Sequence, residues 1–115
     1  MAVTNEDIAR AVSSHRFDEA IPHFAEDIEW DVVGSDALIG KTVVSRVCEG
    51  SAEYLARVTT EFLRFDLHPV GDMVIVDSLA RYTEGDDVSI VSSCDLYSFA
   101  DGHLKHIRSY NVELE

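Results

Sequence analysis

The sequence predicts one α+β domain, in which early helices cover one face of a curved, mostly antiparallel sheet. Apolar residues at helical spacing dominate the first half of the chain, and strands with alternating apolar and polar residues fill the second half. Tight-turn dipeptides separate those later strands. Since 115 residues suit one domain, we predict a single domain over residues 1–115. Its predicted shape is a cone-shaped barrel with an internal pocket.

The N-terminal segment is predicted to form two helices. The first begins at Thr4, where Thr4-x-x-Asp7 makes a weak capping box, and it ends near His15. The second starts at about Phe17 and has acidic residues in its first turn, where the helix dipole favours them.

One strand and one long helix are predicted next. The segment FAEDIEWDVVG alternates in polarity, which favours a strand with Trp30 and Val32 on one face. A loop then runs to Gly40. Helical spacing resumes at Lys41, and we expect a break at Gly50.

Four strands joined by tight turns complete the predicted sheet. The first spans about Glu61 to Val70, and its apolar set (Leu63, Phe65 and Leu67) is the expected core face. The second covers residues 73–83, between turns at 71–72 and 84–87.

The last two strands form a long hairpin, VSIVSSCDLYSFADGHLKHIRSYNVEL, with Asp101-Gly102 at its turn. Alternation places Asp95 on the same face as Tyr97 and Phe99. A carboxylate there lies either on a solvated face or in a cavity. The solvated alternative would pair Asp95 across the sheet with a basic residue such as Lys105 or His106.

Composition narrows the classes of partner. The net charge of −13 argues against a nucleic-acid partner and against an anionic membrane surface. No apolar run is long enough for a membrane span, and the N-terminus lacks the pattern of a signal peptide.

Cys48 and Cys94 are expected to be reduced thiols in a cytoplasmic protein. The five histidines show no metal-ligand spacing, and no phosphate-binding glycine motif occurs, so we predict neither a metal nor a cofactor.

Three stretches resemble the nuclear transport factor 2-like (NTF2-like) superfamily, and within it the SnoaL-like domains and the ketosteroid isomerase branch. They are FAEDIEWDVVG followed by Gly40, then LHPVGDMVIVDS, then LYSFADGHLKHIRSYN. The resemblance implies the cone-shaped fold, an internal pocket, and a homodimer through the outer face of the sheet. Val88, Ile90 and Leu96 supply apolar side chains for that interface.

The resemblance also implies roles for single residues. Asp95, in Asp95-Leu96-Tyr97-Ser98-Phe99, falls on the isomerases' pocket acid, which their apolar site keeps protonated. Asn111 falls on a pocket position of the final strand. The isomerases' general base falls on Val32, whereas the neighbouring Asp31 points to the opposite strand face. The tyrosine of their first helix has no counterpart.

Further pocket candidates come from related enzymes. In SnoaL-like cyclases, polar residues of the later strands enter the cone, which here suggests Asp95 with Ser109 or Asn111 of the last strand. Asp77 and Arg81 loosely resemble the polar set of limonene epoxide hydrolase. They are otherwise a solvated pair, and Ser78 and Tyr82 then face the pocket. Trp30 is a candidate wall and Tyr97 a candidate substrate-orienting residue, with the plain core and the sheet surface as their respective alternatives.

The predicted function is binding of a small apolar molecule that carries a carbonyl, hydroxyl or epoxide group. If the protein is an enzyme, it is predicted to be a cofactor-free isomerase, cyclase or hydrolase, with Asp95 as the acid or base. The alternative is a non-catalytic ligand-binding or protein-interaction module of the same fold, which the missing base at Val32 favours.

Overall fold

Helices pack against one face of a curved, six-stranded mixed sheet that does not close into a barrel. The computed structural model describes residues 3–114. The elements are α1 (Asn5–Ser13), α2 (Phe17–Ala20), a 3₁₀ turn (Ile21–His23), β1 (Phe24–Val32), β2 (Leu38–Ile39), α3 (Lys41–Leu55), β3 (Thr59–Val70), β4 (Met73–Glu84), β5 (Asp87–Ala100) and β6 (His103–Leu114).

The strand order is β2-β1-β6-β5-β4-β3, so the last strand of the chain lies near the middle of the sheet. All neighbours are antiparallel except β1 and β6, which run parallel. In β6, Ser109 pairs with Asp95 of β5 on one side and with Val32 of β1 on the other. Strand β6 therefore joins an early strand, β1, to a late one, β5.

A capping box begins α1, and a left-handed residue ends it. At its start, the Thr4 hydroxyl accepts from the Asp7 amide at 3.1 Å, and the Asp7 carboxylate accepts from the Thr4 amide at 3.0 Å. This is the predicted capping box. The helix ends at Ser13, because the chain leaves the helical conformation at His15, whose φ is 68°.

The core lies between the helices and the inner face of the sheet. Its buried apolar side chains come from every helix and from β1, β4, β5 and β6, and they include Ile8, Val12, Phe24, Ile28, Val44, Cys48, Val76, Tyr97, Leu104 and Ile107. Burial raises the pKa of the Cys48 thiol to about 12, so this cysteine is a core residue and not a reactive thiolate.

Two details of the middle of the chain differ from the prediction. Helix α3 runs through Gly50 without a break, since a glycine inside a helix costs only about 1 kcal/mol and packing compensates for it. The predicted loop before α3 contains the short strand β2, which pairs antiparallel with Glu29 and Trp30 of β1.

A β-bulge in β3 changes which residues face inward. The register shifts between Phe62 and Arg64, so Phe62 and Phe65 both face the helices and meet edge to face at 5.1 Å. Leu63 is instead 41% exposed. The expected core face was therefore right for Phe65 and Leu67 and wrong for Leu63.

Among residues 3–114, no helix is both long enough and apolar enough to cross a membrane.

Candidate functional site

A central cavity of about 170 Å³ lies between the helices and the inner face of the sheet. Its walls come from the end of α1, from Phe17 of α2, from the C-terminal part of α3, and from five strands. Aromatic lining residues are Phe17, Trp30, Phe62, Tyr82 and Tyr97. Polar lining residues are Ser13, His15, Ser51, Ser78, Ser93, Asp95, Ser109 and Asn111.

Asp95 lies at the centre of a hydrogen-bond network. Ser13 Oγ is 3.3 Å from its Oδ2 and 2.6 Å from the Tyr97 hydroxyl. On the other side, the Trp30 indole N–H donates to Ser109 Oγ at 3.0 Å, and Ser109 is the direct cross-strand neighbour of Asp95, where its hydroxyl lowers the pKa of the carboxyl group. Tyr97 and Ser109 are almost completely buried, so the network is held in place by the core.

The donors in this network point toward the carboxyl group. An indole N–H only donates, so Ser109 accepts from Trp30 and keeps its own proton for Asp95. Ser13 has one hydroxyl proton and donates it to Asp95, which leaves the Tyr97 hydroxyl to donate to Ser13. One chain of donors, from Tyr97 through Ser13, therefore reaches Asp95, and a second, from Trp30, reaches its cross-strand neighbour Ser109.

Burial raises the pKa of Asp95 above its ordinary value, although the hydrogen bonds from Ser109 and Ser13 act in the opposite direction. The side chain is half-buried: part of it faces the cavity, and the surrounding protein removes most of its water. Within the described part of the chain, no lysine or arginine lines the cavity to compensate its charge. Asp95 is therefore placed to take up or release a proton at a less acidic pH than an exposed aspartate.

The structure places Asp95, Trp30, Tyr97, Ser109 and Asn111 in the wall of the cavity. Asn111 is exposed at its edge, where its Oδ1 accepts from Ser93 at 2.7 Å.

Val32 is half-buried but does not line the cavity. Strand β1 ends at this residue and the chain turns there, with the Ser35 amide donating to its carbonyl at 2.9 Å. Its pairing with Ser109 places Val32 on the inward face of β1 with Trp30, beyond the residues that line the cavity.

The structure contradicts the pocket positions predicted for Asp77 and Arg81. Both lie on the outer face of β4, where Asp77 binds Arg64 at 3.1 Å and Arg81 binds Glu61 at 2.7 Å. The register explains this placement. Ser78 pairs directly with Ser93, so it shares the inner face with Asp95, and its odd-numbered neighbours point outward.

The alternative partners of Asp95 lie elsewhere too. Lys105 binds Asp27 at 2.6 Å, and His106 lies 3.5 Å from Glu29. Neither side chain reaches Asp95.

Several solved structures superpose on this chain and have the same fold. An NTF2-like protein of unknown function from Cytophaga hutchinsonii superposes with a TM-score of 0.83 at 24% identity, over 93% of this chain and 95% of that one. The chain has the NTF2-like fold. An LEH-like epoxide hydrolase from M. tuberculosis gives a TM-score of 0.70 at 18% identity, over 93% of this chain and 78% of that chain.

A third structure with the NTF2-like fold is SalBIII, an epoxide hydrolase/cyclase-like enzyme of pyran ring formation in the polyether salinomycin. It gives a TM-score of 0.67 at 19% identity, over 93% of this chain and 86% of that chain. No protein-family model matches the sequence, and no curated protein matches it. These likenesses establish the NTF2-like fold and its α+β architecture.

Ser13 and His15 are among the residues of this cavity that were missed in the sequence. Ser13 reaches Asp95 across 82 residues of chain, and a serine near the end of a helix carries no signal for that contact. His15 lies in the cavity wall with its ring 5.6 Å from Phe62. The sequence did carry a signal for His15. A left-handed residue commonly follows a helix and is usually glycine, but no glycine follows α1, so another residue has to take that conformation.

Within residues 3–114, no group of three or more histidine, cysteine, aspartate or glutamate side chains is arranged to hold a metal ion.

Proposed function

We propose that the protein binds a small uncharged organic molecule in the central cavity and acts on it by acid–base chemistry through Asp95. One observation carries the proposal: a desolvated carboxyl group that accepts from a buried hydroxyl faces the cavity, with no lysine or arginine of residues 3–114 in the cavity wall beside it. The raised pKa of such a group lies closer to neutral pH than that of an exposed carboxylate, which favours a role as general acid or base.

The cavity limits the ligand. A cavity of about 150 Å³ can hold benzene, so the 170 Å³ here suits a molecule of about one ring. Aromatic walls suit its apolar body. A negatively charged ligand is disfavoured, because no lysine or arginine of the described chain lines the cavity and the protein carries a net charge of −13.

Asp95 would transfer the proton in this proposal, and its neighbours would position the substrate. Tyr97 and Ser13 hold the carboxyl group from one side, and Trp30 and Ser109 hold it from the other. Asn111 lies at the edge, where it can hydrogen-bond a carbonyl, hydroxyl or epoxide oxygen. The epoxide hydrolase-like and cyclase-like neighbours of the same fold support hydration or cyclisation as the type of reaction.

The test uses two ring-sized probes, phenol for binding and cyclohexene oxide for hydration. Wild-type protein is compared with Asp95→Asn, which keeps the shape of the side chain and cannot take a proton. Asp77→Asn is the matched control, an outward-facing aspartate on the neighbouring strand. We expect Asp95→Asn to lower hydration about 10²–10⁴-fold and Asp77→Asn to leave it unchanged. Equal turnover by the wild type and Asp95→Asn would remove the catalytic role.

The second candidate function is non-catalytic ligand binding. It is favoured by Val32, which stands where the resemblance places the isomerases' base and which lies outside the cavity. Phenol binding without turnover of any carbonyl, hydroxyl or epoxide probe would support this candidate.

We also propose a homodimer through the outer face of the sheet. Val88, Tyr110, Val112 and Leu114 are large apolar side chains, each more than 40% exposed, and each shares the outward orientation of its strand. Sedimentation of the wild type and Val112→Asp tests this proposal. A dimer that Val112→Asp converts to monomer supports it, and a monomeric wild type contradicts it.

A further inference from the structure

Helix α1 ends with a histidine at a backbone position that usually belongs to glycine. The His15 amide donates to the Val12 carbonyl at 3.1 Å, and the Arg16 amide donates to the Ala11 carbonyl at 2.8 Å. These two bonds form a Schellman motif, whose left-handed residue here is His15. A residue with a Cβ pays an energetic cost in that conformation, and glycine does not.

The histidine ring lies in the cavity wall among aromatic side chains. Its centroid is 5.9 Å from Phe17, 5.6 Å from Phe62 and 6.0 Å from Tyr82. No protein group in residues 3–114 hydrogen-bonds to either ring nitrogen of His15. Among the same residues, no fully buried side-chain nitrogen or oxygen lacks a hydrogen-bond partner. The ring nitrogens are therefore accessible, and His15 lines both the central cavity and a neighbouring hollow between α3 and β3.

Asp95 and His15 mark two different ends of the cavity. Asp95 pairs with Val76 in β4, whereas Tyr82, which contacts His15, lies six residues farther along that strand. At about 3.3 Å per residue, the two levels of the backbone are about 20 Å apart. The gap between the side chains is much shorter, because Ser13, whose hydroxyl lies 3.3 Å from the Asp95 carboxylate, is only two residues before His15. Aromatic rings fill the wall between the two polar ends.

We propose that His15 contacts the ligand, and that the ligand is an uncharged single-ring compound with one oxygen group at each end. Asp95 binds the first oxygen group, and the His15 imidazole binds the second. This inference rests on the proposed function, in which Asp95 faces the bound molecule.

The imidazole suits such a group because it is neutral. Burial lowers the pKa of His15, so at neutral pH one ring nitrogen donates a hydrogen bond and the other accepts one. A hydroxyl or a carbonyl group can satisfy such a ring. A purely structural histidine would serve only through its packing against Phe17, Phe62 and Tyr82, and a phenylalanine ring would do the same.

The experiment compares two probes, phenol and 4-(hydroxymethyl)phenol, which differ by one polar group. We measure their dissociation constants by calorimetry for the wild type and for His15→Phe. In the wild type, the second oxygen should tighten binding about tenfold, the size of one good net hydrogen bond. In His15→Phe this gain should disappear, while the affinity for phenol stays within about twofold.

Two controls keep the outcomes separate. His15→Gly fits the left-handed backbone without strain, so it repeats the test if His15→Phe does not fold, and it must also lose the tenfold gain. If the wild type binds phenol without any gain from the second oxygen, or if His15→Phe or His15→Gly retains the gain, the role of His15 is overturned and that of Asp95 stands. If the wild type binds neither probe, the proposed function fails with it.

Discussion

Replacing Asp95 by asparagine is expected to stabilise the folded protein at neutral pH while it removes the acid–base group. Burial raises the pKa of Asp95 above its ordinary value of 3.8, so the folded state keeps the proton to a higher pH than the unfolded state does. The free energy of unfolding therefore falls as the pH rises from that ordinary value to the folded pKa, and the loss is constant above it. Asparagine does not titrate and avoids this loss.

The pH dependence of this stability difference is limited, because only one proton is bound or released at Asp95. The difference in unfolding free energy between Asp95→Asn and the wild type should grow with pH by at most about 1.4 kcal/mol per pH unit, and then level off. The amide fits the site, because its oxygen can accept from Ser13 and Ser109 as the carboxylate does. Its N–H groups can point into the cavity, where water reaches them.

Urea unfolding of the wild type, Asp95→Asn and Asp77→Asn between about pH 4 and about pH 8 measures this difference. Asp77→Asn removes an exposed ion pair with Arg64 and should cost less than about 1 kcal/mol. A difference for Asp95→Asn that stays flat with pH, or that turns against the variant as the pH rises, would refute the reasoning. A flat difference would mean that the hydroxyl donors balance the desolvation of the carboxylate, and a reversed slope would mean that they outweigh it.

Three further predictions concern stability and can be checked by thermal unfolding. Tyr97→Phe removes the 2.6 Å bond to Ser13 and should cost about 1 kcal/mol, or about 4 °C in Tm; an unchanged Tm would argue against that bond. Phe62→Ala should cost about 1–2 kcal/mol more than Leu63→Ala, because the bulge turns Phe62 inward and leaves Leu63 exposed; equal losses would contradict the bulged register. Gly50→Ala should add about 0.5–1 kcal/mol, since the new methyl group lies inside α3 with no atom within 4 Å; a lower Tm would show that the glycine has another role.

Features decided within a few residues were predicted correctly. The capping box of Thr4 and Asp7 formed as expected, and Asp101 and Gly102 have the positive φ values, 54° and 76°, of a tight hairpin turn. The resemblance in the later strands also led to the right fold, and alternation along β5 correctly placed Asp95 and Tyr97 on one face.

Features that depend on pairing between strands were predicted less well. Asp77 and Arg81 alternate as cleanly as Ser78 and Tyr82, and only pairing with β5 shows which set faces inward. The bulge at Phe62 has no local marker, so the core face of β3 was assigned with Leu63 in place of Phe62.

The sequence by itself determined the α+β class, the ends of the main elements, and the strand face that carries Asp95, because capping bonds, turn conformations and alternation act between near neighbours in the chain. The tertiary structure alone decided what surrounds Asp95. Ser13, Trp30 and Ser109 reach its network from distant parts of the chain, and His15 enters the cavity wall through packing with β3 and β4. These contacts depend on how a helix packs on a sheet and how strands register, which no short stretch of sequence specifies.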